Sequence, residues 1–401
     1  RVGQLFQDLD ALACVSAYRH CHPAKPAIVT ASVDRVLLDP AVLPSFLDKS
    51  SVRNVSLSGT VTWTGRSSME ITVKVAAHDE ELHRNSKLQF DDIKEENVFM
   101  VAHFTFVARN TKTNKSFPIN RLVPQSKQEL ADFKRAENYN LYKRSIASKK
   151  DLRSKHPSEK ESELIHLLWL NYEDQMEAPT LINPLRKSSE TGVASEKVIL
   201  MQDTTIESTA LMQPQNRNIH SYMIFGGYLL RQTFELAYSC AAAFSHNIPR
   251  FVSLDSTTFR NPVPVGSVLY LNATVVYTEF INRKLNPEAG EKQNERKYDF
   301  NQNSIPGTLI QVRVDSTVRD LKHGTTQNTG QFTYSYFVAA NAEKSLIPGN
   351  TEDVKPKFYR VMPQTYSEMM EYLEGRRKAI DTASFNTYVR LMPNPNEVVS
   401  E

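Results

Sequence analysis

The feature that most constrains this chain is an internal repeat whose copies lie more than half the chain apart. Residues 3–13 align without a gap on residues 227–237, pairing Gly3 with Gly227, Leu5 with Leu229, Leu12 with Leu236 and Ala13 with Ala237 at an offset of 224. Each copy is followed by an apolar, strand-like segment running to an aspartate, Asp34 in the first and Asp255 in the second, at an offset of 221. A period this long is not that of a stacked solenoid. It predicts two copies of one domain, a pseudo-dimer within one chain whose useful surface is the seam between the halves.

Composition agrees with that division. At 401 residues and 40% hydrophobic content the chain can bury two ordinary cores. A net charge of +3 tolerates a polyanionic small ligand but gives no basic stripe, so nucleic acid is not an expected partner. Cys14, Cys21 and Cys240 form no metal-binding pair and are odd in number, which predicts buried free thiols in a reducing compartment. No run approaches eighteen apolar residues, so no membrane span is predicted. The chain opens at Arg1, already inside the first copy, without a recognisable signal or transit segment. That start raises the expectation of upstream sequence carrying the first domain's leading strand and pre-helix loop.

Apolar residues at three-to-four spacing (Leu5, Leu9, Leu12, Ala13 and Ala17) predict a helix over residues 3–20, and its counterpart falls at 227–244. Both are apolar around much of their circumference, as befits a helix inside a domain. Strand signals come next, at 54–63, 69–75 and 99–107 in the first half and at 268–277, 309–314 and 331–338 in the second. One long helix and several alternating strands per half predict an α+β fold, an antiparallel sheet wrapped on a central helix. The polar connector from about 124 to 190 carries capping-box spacing at Ser126 with Glu129 and at Ser158 with Glu161, predicting two helices, the second burying Leu164, Leu167 and Leu168. Residues 197–212 predict one or two strands with no counterpart in the first half, and residues 282–304 an inserted surface loop. Thr365 with Glu368 opens a final helix expected to stop at Gly375. The expected units are 1–123, a helical connector at 124–192, a second domain at 193–340 and a C-terminal helix and tail at 341–401.

Residues 218–230, with Gly226 and Gly227 side by side, then 251–256 and 262–267 with Pro262, Pro264 and Gly266, resemble the hotdog-fold acyl-coenzyme A thioesterases. Residues 28–34 and 65–71 of the first half are similar to the same family's pattern, and the double domain with its long connector resembles the family's mitochondrial members. The resemblance spans nearly all of the chain except connector and tail. It implies a double hotdog, hydrolysis of acyl-coenzyme A to free acid and coenzyme A by direct water attack, no metal or redox cofactor, a homo-oligomer, and residence in the mitochondrial matrix.

Several residue types could carry such chemistry. Glycines where a loop enters a helix let another group approach the backbone, and the helix's first-turn N–H groups lack intrahelical partners, so Gly226 and Gly227 could hold a thioester oxyanion. They could equally just permit helix packing. Asp34 and Asp255 end apolar, β-rich segments, where a carboxylate is disfavoured unless paired or used, and either could deprotonate a water. The bland alternative is a turn cap. Asn218 can both donate and accept, so it could fix a water or the thioester oxygen, or simply shape a turn. By resemblance, Asn218 would cooperate with Asp34 across the seam, although the family's spacing of seven residues before the first Gly falls on Ile219 and leaves Asn216 and His220 open. The family also places a carboxylate seven residues after the second Gly, which matches Asp10 counted from Gly3, while Glu235 is eight after Gly227. Arg66 could grip a coenzyme A phosphate by paired hydrogen bonds or be an ordinary turn residue.

Other chemistries lack their motifs. There is no nucleophile elbow, Walker loop, zinc-protease helix or dinucleotide fingerprint, and His78 and His83 are five apart in an acidic, polar stretch. The sequence thus predicts a hydrolase using Asp34, Asn218 and Asp255 with Gly226, Gly227 and Arg66. Two alternatives remain: a non-catalytic acyl-coenzyme A binding protein, and an enoyl-thioester hydratase that would need His220.

Overall fold

A computed structural model describes residues 2–38, 54–78, 98–113, 115–147, 156–176, 196–218, 223–255, 257–281, 307–320, 324–339 and 358–391. The expected loop at 282–304, along with His83, His220 and the tail after 391, lies outside them.

Helix α1 (Val2–Cys21) and the strands β1 (Ala27–Leu38), β2 (Asn54–Thr64), β3 (Ser68–His78) and β4 (Val98–Arg109) form the first half. Connector helices α2 (Lys127–Ala147) and α3 (Glu159–Met176) lead to β5 (Glu196–Leu200) and β6 (Ile206–Leu211). Helix α4 (Gly226–Ser245), β7 (Arg250–Leu254), β8 (Thr257–Thr258), β9 (Val268–Ile281), β10 (Gly307–Arg319) and β11 (Thr326–Ala339) make the second half, followed by β12 (Phe358–Met362) and α5 (Tyr366–Leu391).

Both halves are antiparallel sheets joined edge to edge, in the order β2-β3-β4-β1-β7-β11-β10-β9-β6, with β8 also on β1. The joint is the antiparallel pairing of Val36 with Leu254 and Leu37 with Ser253, continued by Ser32 with Thr258 and Val33 with Thr257. Strand β6 has no counterpart among the described strands of the first half. Strand β5 pairs in parallel with β12 as a separate small sheet. The central helices bury Leu9, Ala13 and Ala17 of α1 and Leu230, Ala237 and Ala241 of α4, and they cross in opposite directions: Gly3 packs on Arg231 and Glu235, while Gly227 packs on Gln7 and Asp10. This is the α+β double hotdog, two helix-on-sheet units around a pseudo-twofold.

The outer sheet faces are covered by the remaining helices, through pairs of opposite polarity. Arg135 of α2 reaches Glu70 of β3 at 2.7 Å, and Arg313 of β10 reaches Glu371 of α5 at 2.8 Å. Two capping boxes form in full, Ser126 with Glu129 and Thr365 with Glu368, whereas at Ser158 both the N–H and the hydroxyl donate to the Glu161 carboxylate. Helix α3 is tied to α5 by a two-pronged contact of Arg377 with Glu161, at 2.7 and 2.8 Å.

Three local expectations need correction. Helix α5 runs through Gly375 to Leu391, because Gly375 serves close packing: a Cβ there would stand 2.8 Å from Tyr277 Cβ. Leu168 is buried and Leu164 packs on the core, but Leu167 is 51% exposed on the far side of α3. Strand β1 does not end at Asp34; it continues to Leu38 because its partners extend on both sides. Among the described residues no helix is long and apolar enough to cross a membrane.

Candidate active site at the seam

The start of α4 is the best-built polar site at the seam. Phe225 is the N-cap residue and supplies no side-chain cap, so the first-turn N–H groups depend on other partners. What they face comes from the other half. A Cβ on Gly226 would lie 3.1 Å from both Asp10 Oδ2 and Thr30 Oγ1, and one on Gly227 would lie 3.0 Å from Asp10 Cβ. Only glycine lets this helix start come so close to α1 and β1.

Asp10 is fully buried, and the Thr30 hydroxyl donates to its Oδ1 at 3.0 Å. Burial pushes its carboxyl up to about 7, against the Thr30 hydroxyl and the Gly227 N–H, which favour the ionised form. Oδ2 accepts no hydrogen bond of normal geometry. A carboxyl with this pKa, beside a helix start, is poised to exchange a proton near neutral pH. One turn further along α1, burial and the neighbouring Asp10 push the Cys14 thiol up to about 12, which makes it inert.

Asn218 is buried on the same side. Its backbone N–H donates to Met223 O at 2.8 Å, closing the loop ahead of α4, and its Nδ2 donates across the seam to Ile28 O at 3.5 Å. Asn216 lies in a short 3-10 turn and is half-buried; its carbonyl accepts the Phe225 N–H at 2.9 Å. It therefore shapes the loop.

The expected partnership of Asn218 with Asp34 does not form. Strand β1 is bulged between Thr30 and Ser32 and again between Val33 and Arg35. These bulges reset the alternation: Thr30 pairs with Phe106 and Val33 with Phe104 on the helix side, whereas Ser32 pairs with Thr105 on the other. Asp34 joins the outer set, accepting from Ser32 Oγ at 2.9 Å and Thr105 Oγ1 at 3.1 Å, while the Tyr139 hydroxyl of α2 donates to its carbonyl oxygen at 3.4 Å. It faces away from Gly226. Asp255 sits just past β7, its N–H donating to Thr333 O at 3.0 Å, and the register of the joint, Leu254 on Val36 and Thr257 on Val33, places it beside the stretch that carries Asp34. The two aspartates thus mark the pseudo-twofold rather than the helix start. Arg66 is exposed at the β2–β3 turn, two strands from β1 but at the same sheet end as Val29, since Ser68 and Val29 both pair with Val107.

The repeat generates a second helix start, at α1, with different neighbours. The positions matching Asp10 and Thr30 are Phe234 and Phe251, whose rings meet edge to face at 5.5 Å. Phe6 and Tyr334 complete the cluster. Toward solvent, Glu235 is held by Arg231 at 2.8 Å, and Arg231 also donates to Gln4 at 2.6 Å, so Glu235 belongs to a surface pair and not to a site.

No protein-family model matches this chain. Acyl-coenzyme A thioesterase 2, chloroplastic, of Humulus lupulus is 31% identical over 366 residues, 88% of this chain and 72% of that protein. The chain belongs to the acyl-coenzyme A thioesterase family. It is accordingly a thioester hydrolase. Acyl-coenzyme A thioesterase 4, mitochondrial, of the same plant is 35% identical over 70% of this chain and 49% of its own length. Acyl-coenzyme A thioesterase 9, mitochondrial, of Mus musculus is 28% identical over 94% of this chain and 71% of its own. Two residues of this site differ in how they show in the sequence. Asp10 was visible through its seven-residue spacing from Gly3, whereas Thr30, inside an unremarkable strand, carried no local signal.

Proposed function

We propose that the chain hydrolyses acyl-coenzyme A at the α4 start, with Asp10 of the first half as general base. The observation that carries the reading is the buried Asp10 carboxyl, raised to about 7 and facing Gly226 and Gly227 across the seam. Ionised Asp10 takes a proton from water as the water oxygen bonds to the thioester carbon. Negative charge collects on the carbonyl oxygen, where the first-turn N–H groups and the dipole of α4 stabilise it. Collapse breaks the carbon–sulfur bond, and the proton passes from Asp10 to the departing coenzyme A sulfur. Thr30 holds the carboxyl in orientation through Oδ1, and Asn218 presents its amide to the thioester from the loop side. Arg66, at the same end of the sheet, is the proposed ligand for a coenzyme A phosphate. No metal or redox group is needed for these steps.

The proposal includes residence in the mitochondrial matrix, supported by the mitochondrial relatives, and self-association of the pseudo-dimer, which light scattering would test. The decisive assay is release of coenzyme A thiol from a panel of acyl-coenzyme A lengths. Turnover lost in Asp10→Asn with binding retained supports the reading. Tight binding without turnover by the unmodified protein would favour a binding protein instead.

A further inference from the structure

Asp10 is not the only buried acceptor at this helix start. Gln7, one turn earlier on α1 and on the same face, packs its Cα 3.0 Å from where a Gly227 Cβ would stand. Its Oε1 is closed off from solvent and accepts no hydrogen bond among the described residues, while Asp10 Oδ2 accepts none of normal geometry. Buried acceptors are ordinarily satisfied, since leaving one unmet is costly, and two such acceptors flanking one glycine call for one explanation. At the matching position of the second half stands Arg231, a donor committed to the Gln4 and Glu235 surface pair. The acceptor is therefore a property of this helix start and not of the repeat.

Resting on the assignment of Asp10 as base, we propose that Gln7 is the second anchor of the nucleophilic water. A water has two O–H bonds and two lone pairs. One O–H donated to Asp10 is the proton to be removed; the other, donated to Gln7 Oε1, fixes rotation about the first and aims a lone pair at the thioester carbon. Neutrality matters in this role. A carboxylate at position 7 would accept as well but would repel ionised Asp10 and raise its pKa further.

The test compares kcat, KM and pH profiles of the whole protein and of Gln7→Leu, Gln7→Glu and Asp10→Asn on one acyl-coenzyme A. Gln7→Leu is expected to lower kcat by about 10- to 100-fold with KM little changed, the scale of loss from misplacing a reactant. Its melting temperature is expected not to fall, because the substitution removes a buried unmet acceptor. Gln7→Glu is expected to shift the rising limb of the kcat profile to higher pH and to recover part of the rate on the alkaline side. A kcat unchanged in Gln7→Leu, while Asp10→Asn is inactive, would overturn this inference and leave the base assignment standing. A lower kcat accompanied by a lower melting temperature, with no pH shift in Gln7→Glu, would mark Gln7 as structural and also overturn it. Full activity in Asp10→Asn would instead remove the reading on which the inference rests.

Discussion

At the start of α4 the first turn faces Asp10 and Thr30; at the start of α1, the matching interior positions are Phe234 and Phe251. The same backbone therefore builds a polar seam site on one side of the pseudo-twofold and an aromatic plug on the other. Both arrangements settle the same problem, the buried end of a helix against a neighbouring strand. On the reactive side the solution keeps an unmet carboxylate oxygen and a raised pKa, which cost stability. The other side buries four rings, Phe6, Phe234, Phe251 and Tyr334, with no carboxyl among them. Duplication allows one copy to hold a costly site while the other stabilises it. The outer faces show a second divergence: an acid on the sheet with a base on the helix in the first half, and the reverse in the second. Docking either helix on the wrong sheet would bring Arg135 to Arg313 and Glu371 to Glu70, so the pairs specify which helix covers which face.

The comparison is broken most sharply by Asp10→Asn. Turnover is expected to fall by about 10²- to 10⁴-fold, the usual worth of a general base. The same change should improve stability at alkaline pH. Asp10 rises from 3.8 unfolded to about 7 folded, so between those values the unfolded chain loses a proton that the fold retains, and stability declines as pH rises. One such group gives a slope of about 1.4 kcal/mol per pH unit, and denaturant titrations at several pH values should show that component vanish in Asp10→Asn.

Phe234→Ala is expected to cost about 3–5 kcal/mol of unfolding free energy, as for other buried aromatic truncations, while turnover per folded molecule stays within a few-fold. A comparable loss of rate and stability would mean that the aromatic side shares in catalysis. Arg135→Ala removes the charged partner of the Glu70 carboxyl, whose side chain has no exposure and keeps the Thr62 hydroxyl as donor, and should lower stability by about 1–3 kcal/mol without changing KM. The smallest effect is expected for Asp34→Asn, with turnover near that of the unmodified enzyme, because the side chain faces Ser32 and Thr105 on the outer side.

Local signals in the sequence were legible and long-range ones were not. Helical periodicity placed α1 and α4 to within about a residue at each end, and Ser126, Ser158 and Thr365 announced helix starts because a capping box is a local event. Which face Asp34 occupies is not local. It depends on two bulges in β1, and each extra residue turns the rest of the strand over to the other face. The site's glycines and Asn218 were readable from their loop-to-helix setting, but the contacts that decide among carboxylates join residues about 200 positions apart, such as Asp10 with Gly226. Gly375 taught the same lesson in a helix: a glycine chosen for contact with Tyr277 reads, in sequence, as a stop.

The most direct measurement is the pH dependence of kcat/KM for a single acyl-coenzyme A, from pH 5 to 9. The account predicts activity rising through an apparent pKa of about 7, the value set by burial of Asp10, with that limb absent from any residual activity of Asp10→Asn. A profile already flat from pH 5 upward, as an ordinary solvated carboxylate would give, would contradict it.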